Sequence, residues 1–98
     1  MGKTVLAMTS LRSGEQMALD TYLSVVGPLM EKAGARLINR YEVSESLSGS
    51  EAPQFVSLVE YPDAEAIRMV FEDPDYLALE PVRETAFSCY EVCVLETS

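Results

Sequence analysis

The sequence contains no histidine and no tryptophan, and only 7 of its 98 residues are lysine or arginine. Without histidine the chain lacks the usual general base at neutral pH, the commonest metal ligand and the proximal ligand of globin-like haem sites, so we expect no metal and no cofactor. The 16 aspartate and glutamate residues give a formal net charge of −9. This balance argues against nucleic-acid binding and against docking on anionic lipid, both of which need basic side chains.

Long apolar runs are missing as well. No stretch approaches the roughly 20 residues that cross a bilayer, and the apolar segment 5–8 is too short for the core of a signal peptide. Cys89 and Cys93 are the only cysteines. On one strand they would lie about 13 Å apart, which is too far for a disulfide. Two free thiols and no leader predict a cytoplasmic protein.

What the chain does have is an alternation of apolar strand patterns and amphipathic helix patterns. Its length and its 48% apolar content predict one domain over residues 1–98. The order β-α-β-β-α-β predicts an α+β, ferredoxin-like fold, with a four-stranded antiparallel sheet and helices on one face. The predicted strands are 3–10, 36–46, 54–61 and 88–95, the predicted loop is 47–53, and helical patterns fill 13–33, 63–71 and 73–82.

Several residues predict where these helices begin and end. Ser13 opens a capping box at the first helix, and Gly34 suits a left-handed residue after its last turn. Pro28 lies inside the same helix and predicts a kink or a break, because proline removes an amide donor. Asp63 and Asp73 are predicted N-caps of the later helices.

The first and third strands are apolar on both faces. Around Val5 and Phe55 both parities carry apolar side chains, whereas helices on one side of the sheet would cover only one of them. An uncovered apolar face of a sheet marks an interaction surface. We therefore expect a homodimer in which two sheets pack against each other as an α/β barrel.

Two segments in the second half of the chain, 59–66 and 73–83, carry a recognisable motif. They resemble the DUF1330 proteins of the dimeric α/β-barrel superfamily, and the first half matches more loosely, through Tyr22, Gly34 and Arg40. The chain departs from the family pattern at Val70-Phe71, where an aromatic pair is usual, and in the loop 48–51. The matching positions are Glu60, Pro62, Glu65, Ala66, Pro74, Tyr76, Leu79, Pro81 and Arg83.

The resemblance implies a ferredoxin-like fold and a homodimeric barrel, but no established reaction. Relatives in the superfamily include cofactor-free monooxygenases and muconolactone-type isomerases. A shared fold by itself does not carry a function from one protein to another.

Glu60 ends a strand that is otherwise apolar at Val56 and Leu58. A carboxylate in apolar surroundings holds its proton more readily, which suits a general acid or base. The alternative is an ion pair with Arg40 or Arg83 that fixes strand to helix, and structural pairs are commoner than catalytic ones.

The arginines near the sheet have two interpretations each. Arg83, just before the last strand, either grips a ligand carboxylate through two hydrogen bonds or caps the carbonyl groups of its own helix, which is the commoner role. Arg36 and Arg40 share strand parity. They either bind an anion or keep an edge strand from aggregating.

Four tyrosines occur at helical or strand spacing, namely Tyr22, Tyr41, Tyr61 and Tyr76. They are candidates for an aromatic pocket whose hydroxyl groups point at a polar ligand. More often such tyrosines are core residues with a solvated hydroxyl.

Together these features predict a homodimer that holds a small apolar or anionic ligand between helices and sheet. The expected ligand contacts are Arg40, Tyr41, Tyr76 and Arg83. One alternative is a cofactor-free monooxygenase or isomerase that works by proton transfer, with Glu60 as its base. The other is a non-catalytic interaction module whose oligomer face is the function.

Overall fold

The computed structural model describes residues 2–49 and 51–96 as four strands and four helices. The strands form one antiparallel sheet in the order β2-β3-β1-β4, which confirms the predicted α+β, ferredoxin-like fold. None of the described helices is long and apolar enough to cross a lipid bilayer. The elements are β1 (Lys3–Leu11), α1 (Gln16–Lys32), β2 (Arg36–Glu42), β3 (Phe55–Tyr61), α2 (Ala64–Phe71), α3 (Pro74–Leu77), α4 (Glu80–Ala86) and β4 (Phe87–Leu95).

The second strand and the last helical region differ from the prediction. Strand β2 ends at Glu42, and the described residues 43–49 and 51–54 form neither helix nor strand. The predicted loop 47–53 includes residue 50, which lies outside the described residues. The helix predicted over residues 73–82 is two short helices. Helix α3 ends at Leu77, and a new helix, α4, begins at Glu80 with Pro81 in its first turn, where proline is favoured.

The predicted capping box at the start of α1 is wrong. The helix begins at Gln16, and the preceding residue, Glu15, makes no side-chain cap. Gly14 adopts a φ of +79°, so a turn separates Ser13 from the helix. The Gln16 amide instead donates to a carboxylate oxygen of Asp20 at 2.8 Å. The turn at Gly14 therefore prevents Ser13 from capping the helix, although the sequence from Ser13 to Gln16 matches the capping-box pattern.

The other predicted helix ends are confirmed. Asp63 accepts a hydrogen bond from the amide of Ala66 at 2.8 Å, and Asp73 accepts one from Asp75 at 2.8 Å. Gly34 has a φ of +78° and closes α1 in a Schellman motif, in which its amide donates to the Glu31 carbonyl.

Helix α1 runs without a break through Pro28, so the predicted division into two helices does not occur. Val26 and Ala33, one on each side of Pro28, are both buried in the core. Their packing holds the two halves of the helix together although proline removes one backbone hydrogen bond.

The sheet has two different faces. The inner face carries Val5, Val59 and Tyr61, which are buried together with Tyr22 and Val26 of α1. The outer face carries the residues of opposite parity, which are paired across β1 and β3. Among the described residues, none of these outer-face side chains packs against the core cluster. The aliphatic ones are Leu6, Met8, Val56 and Leu58.

A bulge in β2 changes which face its arginines occupy. The register shifts between Leu37 and Asn39, so one residue has no partner on β3. Arg36 therefore lies opposite Glu60 on the outer face, and Arg40 lies opposite Ser57 on the inner face. The predicted shared parity of the two arginines is wrong for this reason.

Candidate functional site

A cavity of about 190 Å³ lies between α1 and the inner face of the sheet. Helix α1 and the three strands β1, β3 and β4 all supply aliphatic side chains to its wall. A mostly apolar cavity with a few polar groups is the usual form of a small-molecule site. The aliphatic wall includes Val5, Leu19, Val26, Met30, Val59 and Val92, and the polar groups are Thr9, Tyr22, Arg40, Ser57, Tyr61 and Tyr90.

Arg40 and Ser57 line the cavity where β2 and β3 pair. The two residues lie directly opposite each other in the register, and Ser57 also lies opposite Ala7 of β1. The Arg40 guanidinium carbon is 4.4 Å from the centre of the Phe55 ring, a cation–π contact. Because the Arg40 side chain is exposed, it forms part of the cavity margin and not of its interior.

Three tyrosine hydroxyl groups form a chain beside the cavity. The Tyr90 hydroxyl of β4 is 2.6 Å from that of Tyr22 and 2.8 Å from that of Tyr76. We call these three residues the tyrosine triad. Burial raises the pKa of Tyr22 to about 12 and raises the pKa of Tyr90 above its ordinary value. The hydroxyl groups of both residues are therefore neutral at physiological pH.

Arg83 holds the triad in place from the surface side. Its guanidinium carbon is 4.6 Å from the centre of the Tyr76 ring and 5.4 Å from that of Tyr90. Its Nη1 donates to the Tyr76 carbonyl oxygen at 3.1 Å. Arg83 thus joins α4 to α3 and caps a carbonyl in the last turn of α3, which the sequence prediction had included in the helix before Arg83.

Tyr61 differs from the triad in its hydrogen bonding. Its side chain is 1% exposed and lines the cavity, and no residue of the described chain hydrogen-bonds to its hydroxyl. The pKa of Tyr61 is raised to about 12, mainly because the residue is buried and to a smaller extent because Tyr76 is close. The cavity wall therefore holds a neutral hydroxyl group that has no partner in the described protein.

Two of the predicted site residues lie on the other side of the sheet. Tyr41 is exposed on the outer face, and its hydroxyl accepts a hydrogen bond from Asn39 at 3.0 Å. Glu60 is also on the outer face, where Arg36 donates to its carboxylate at 2.6 Å. The expected ion-pair partners, Arg40 and Arg83, are both directed elsewhere.

The structure brings Arg40 to the cavity margin and Tyr76 and Arg83 to its tyrosine triad, but it does not bring Glu60 or Tyr41 there. Tyr90 was not among the site residues predicted from the sequence. It shares strand parity with Val92 in the last strand, and this was the available signal that it faces the helices.

The chain belongs to the DUF1330 family, whose members carry a domain of unknown function and whose model matches residues 4–97. A protein of unknown function from Rhodopseudomonas palustris, RPA0582, is similar in structure, with a TM-score of 0.81 and 21% identity over 99% of this chain and 82% of that one. No curated protein matches the sequence.

Two further solved structures share the fold at lower identity. One is a dimeric protein of unknown function and ferredoxin-like fold from Bacteroides fragilis, with a TM-score of 0.59 and 11% identity over 98% of this chain and 96% of that one. The other is SnoaB from Streptomyces nogalater, a cofactor-independent oxygenase, with a TM-score of 0.62 and 9% identity over 99% of this chain and 93% of that one. At these identities the similarity establishes the fold alone.

Proposed function

Starting from membership of the DUF1330 family, we propose that this protein is a homodimer that binds a small, largely apolar molecule in the cavity between α1 and the inner face. The observation that carries the proposal is the cavity itself, about 190 Å³ of mostly apolar space that is partly open to solvent. An apolar molecule that enters this space removes its own apolar surface and that of the cavity wall from water, which is favourable.

The outer face supports the dimer. Its side chains Leu6, Met8, Val56 and Leu58 are partly exposed, and none of them packs against the core cluster. A contiguous apolar patch on a sheet is a typical protein interface, and two-fold dimers are the commonest homo-oligomers. The Bacteroides fragilis protein of the same fold is described as dimeric. A second copy of this chain is therefore our proposed cover.

The predicted site residues then divide between two roles. Arg40 borders the open margin of the cavity, beside the bound ligand. Tyr76 and Arg83 act through Tyr90, whose hydroxyl and ring they hold. Glu60 and Tyr41 are on the outer face, so we assign them to the dimer interface.

Proton-transfer chemistry on the bound ligand is the second candidate. Tyr90 lines the cavity and also a surface groove that contains Arg12 and Glu84. A chain of hydroxyl groups between a cavity and the surface is able to pass a proton. SnoaB, with the same fold, is described as a cofactor-independent oxygenase. In this version the triad replaces Glu60 as the proton-handling group.

Native mass spectrometry of protein purified from its own cells tests the binding proposal. We expect a dimer that carries a small molecule and releases it on denaturation. The matched control is Ala7→Phe, which fills the cavity from the middle of β1 and leaves the outer face unchanged. The control should remain dimeric and lose the molecule. If the wild type carries nothing and binds no small molecule from a fragment screen, the protein is an interaction module instead.

A further inference from the structure

We propose that the ligand of this cavity is uncharged and carries a carbonyl-type acceptor oxygen on an apolar frame of about one ring, with the Tyr61 hydroxyl as its hydrogen-bond donor. This inference rests on the proposed ligand-binding function and names the chemical class of the ligand. Tyr61, the tyrosine triad, the charges near the cavity and the cavity size each contribute to it.

The Tyr61 hydroxyl is available to a bound molecule. The residue is 1% exposed and lines the cavity, and none of the described side-chain hydrogen bonds involves its hydroxyl. No buried side-chain polar atom of the described residues lacks a partner, so the little accessible surface that Tyr61 keeps lies at its hydroxyl group, which faces the cavity. An acceptor atom on a ligand takes the proton of this hydroxyl in place of water.

The tyrosine triad also has one proton more than it uses. Three hydroxyl groups carry three protons, and the two hydrogen bonds among Tyr22, Tyr90 and Tyr76 use two of them. Tyr22 and Tyr90 both line the cavity. One hydroxyl proton of the triad therefore stays available for a further hydrogen bond. An acceptor oxygen on the ligand is a suitable partner for it.

The charges near the cavity favour a neutral ligand. No charged side chain is buried among the described residues. Arg40, the cation that lines the cavity, is exposed and packs its guanidinium over the Phe55 ring. A carboxylate or phosphate in the interior would lose its hydration without gaining a buried cation, which is strongly unfavourable.

The cavity volume sets the size of the ligand. A protein cavity of roughly 150 Å³ is known to hold benzene, and this one is about 190 Å³. A single ring with one small substituent therefore fits it.

Three probes of nearly the same size separate these features: acetophenone, α-methylstyrene, which replaces the carbonyl oxygen by a methylene group, and benzoate. Each is titrated calorimetrically into the wild-type protein, Tyr61→Phe and the control Tyr41→Phe, whose hydroxyl lies on the outer face. In the wild type we expect acetophenone to bind about tenfold more tightly than α-methylstyrene, the worth of one hydrogen bond to a buried donor. Benzoate should bind most weakly.

In Tyr61→Phe the ratio of the affinity for acetophenone to the affinity for α-methylstyrene should fall to about one, and the affinity for α-methylstyrene should not change. Tyr41→Phe should keep the wild-type ratio. Equal binding of acetophenone and α-methylstyrene by the wild type would overturn this inference and leave the ligand-binding function standing. Tightest binding of benzoate would overturn it too. Binding of none of the three would count against the proposed function itself.

Acetophenone labelled with ¹³C at its carbonyl gives a second readout. A downfield shift of the carbonyl carbon resonance on binding to the wild type reports the hydrogen bond without any variant.

Discussion

The two faces of the sheet are made of similar aliphatic side chains, but they meet different neighbours. Val5 and Val59 on the inner face are buried under α1. Their sequence neighbours Leu6 and Leu58 lie on the opposite face of the sheet and point away from the helices. The inner face places the hydroxyl groups of Tyr61 and Tyr90 under the helices, at the cavity wall. The polar groups of the outer face, the Arg36–Glu60 pair and the Tyr41 hydroxyl, contact each other or Asn39 away from the helices. Apolar content alone therefore does not distinguish a ligand site from a partner site, but the polar groups placed within it do.

The largest expected effect comes from placing a charge in the middle of the outer face. Leu58 lies between Leu6 of β1 and Asn39 of β2. In Leu58→Glu the carboxylate would be buried against the second copy without a partner, so the dimer should weaken about 100-fold or more. Sedimentation velocity over a range of concentrations measures this. The matched control is Leu77→Glu, at a residue of α3 that is 56% exposed, and it should stay dimeric. If both variants associate like the wild type, the outer face is not the interface.

A smaller effect compares two tyrosines of the inner side. Tyr90→Phe removes both hydrogen bonds of the triad and should lower the free energy of unfolding by about 1–3 kcal/mol. Tyr61→Phe removes a hydroxyl that has no partner in the described chain and should cost nothing or stabilise the protein slightly. Urea denaturation of both variants measures the difference. An equal loss in the two variants would mean that the Tyr61 hydroxyl is structural.

The smallest effect is expected at the ion pair of the outer face. Arg36 and Glu60 are about two-thirds and two-fifths exposed, so Glu60→Gln should change the free energy of unfolding by less than about 1 kcal/mol, and high salt should remove the difference. Its affinity for acetophenone should equal that of the wild type. A loss of binding or turnover with unchanged stability would instead support the acid–base role that the sequence suggested for Glu60.

The order of the elements and the outer-face pattern could be predicted from the sequence, because strand alternation and helix periodicity are local properties. Asp63, Asp73 and Gly34 were found because their roles at helix ends depend only on neighbouring residues. Arg36 and Arg40 were predicted on one face of their strand, but they lie on opposite faces of the sheet. Their separation depends on the bulge before Asn39, which the alternation of residue types does not reveal.

Only two of the three residues of the tyrosine triad were predicted, for a similar reason. Tyr22 and Tyr76 were candidates, but their meeting with Tyr90 depends on how α1 and α3 pack on β4, which no single segment encodes. Tyr41 carries the same chemical group as Tyr61 and lies on a neighbouring strand. The register of β2 against β3 places it on the opposite face.

The most direct test of the division between the two faces is the mass of the wild-type protein in solution. Sedimentation equilibrium at micromolar concentration should give twice the chain mass of 10.8 kDa, because in the proposed dimer a second copy shields the outer face. A mass of 10.8 kDa that persists as the concentration is raised would leave that face in contact with water and would contradict the homodimer.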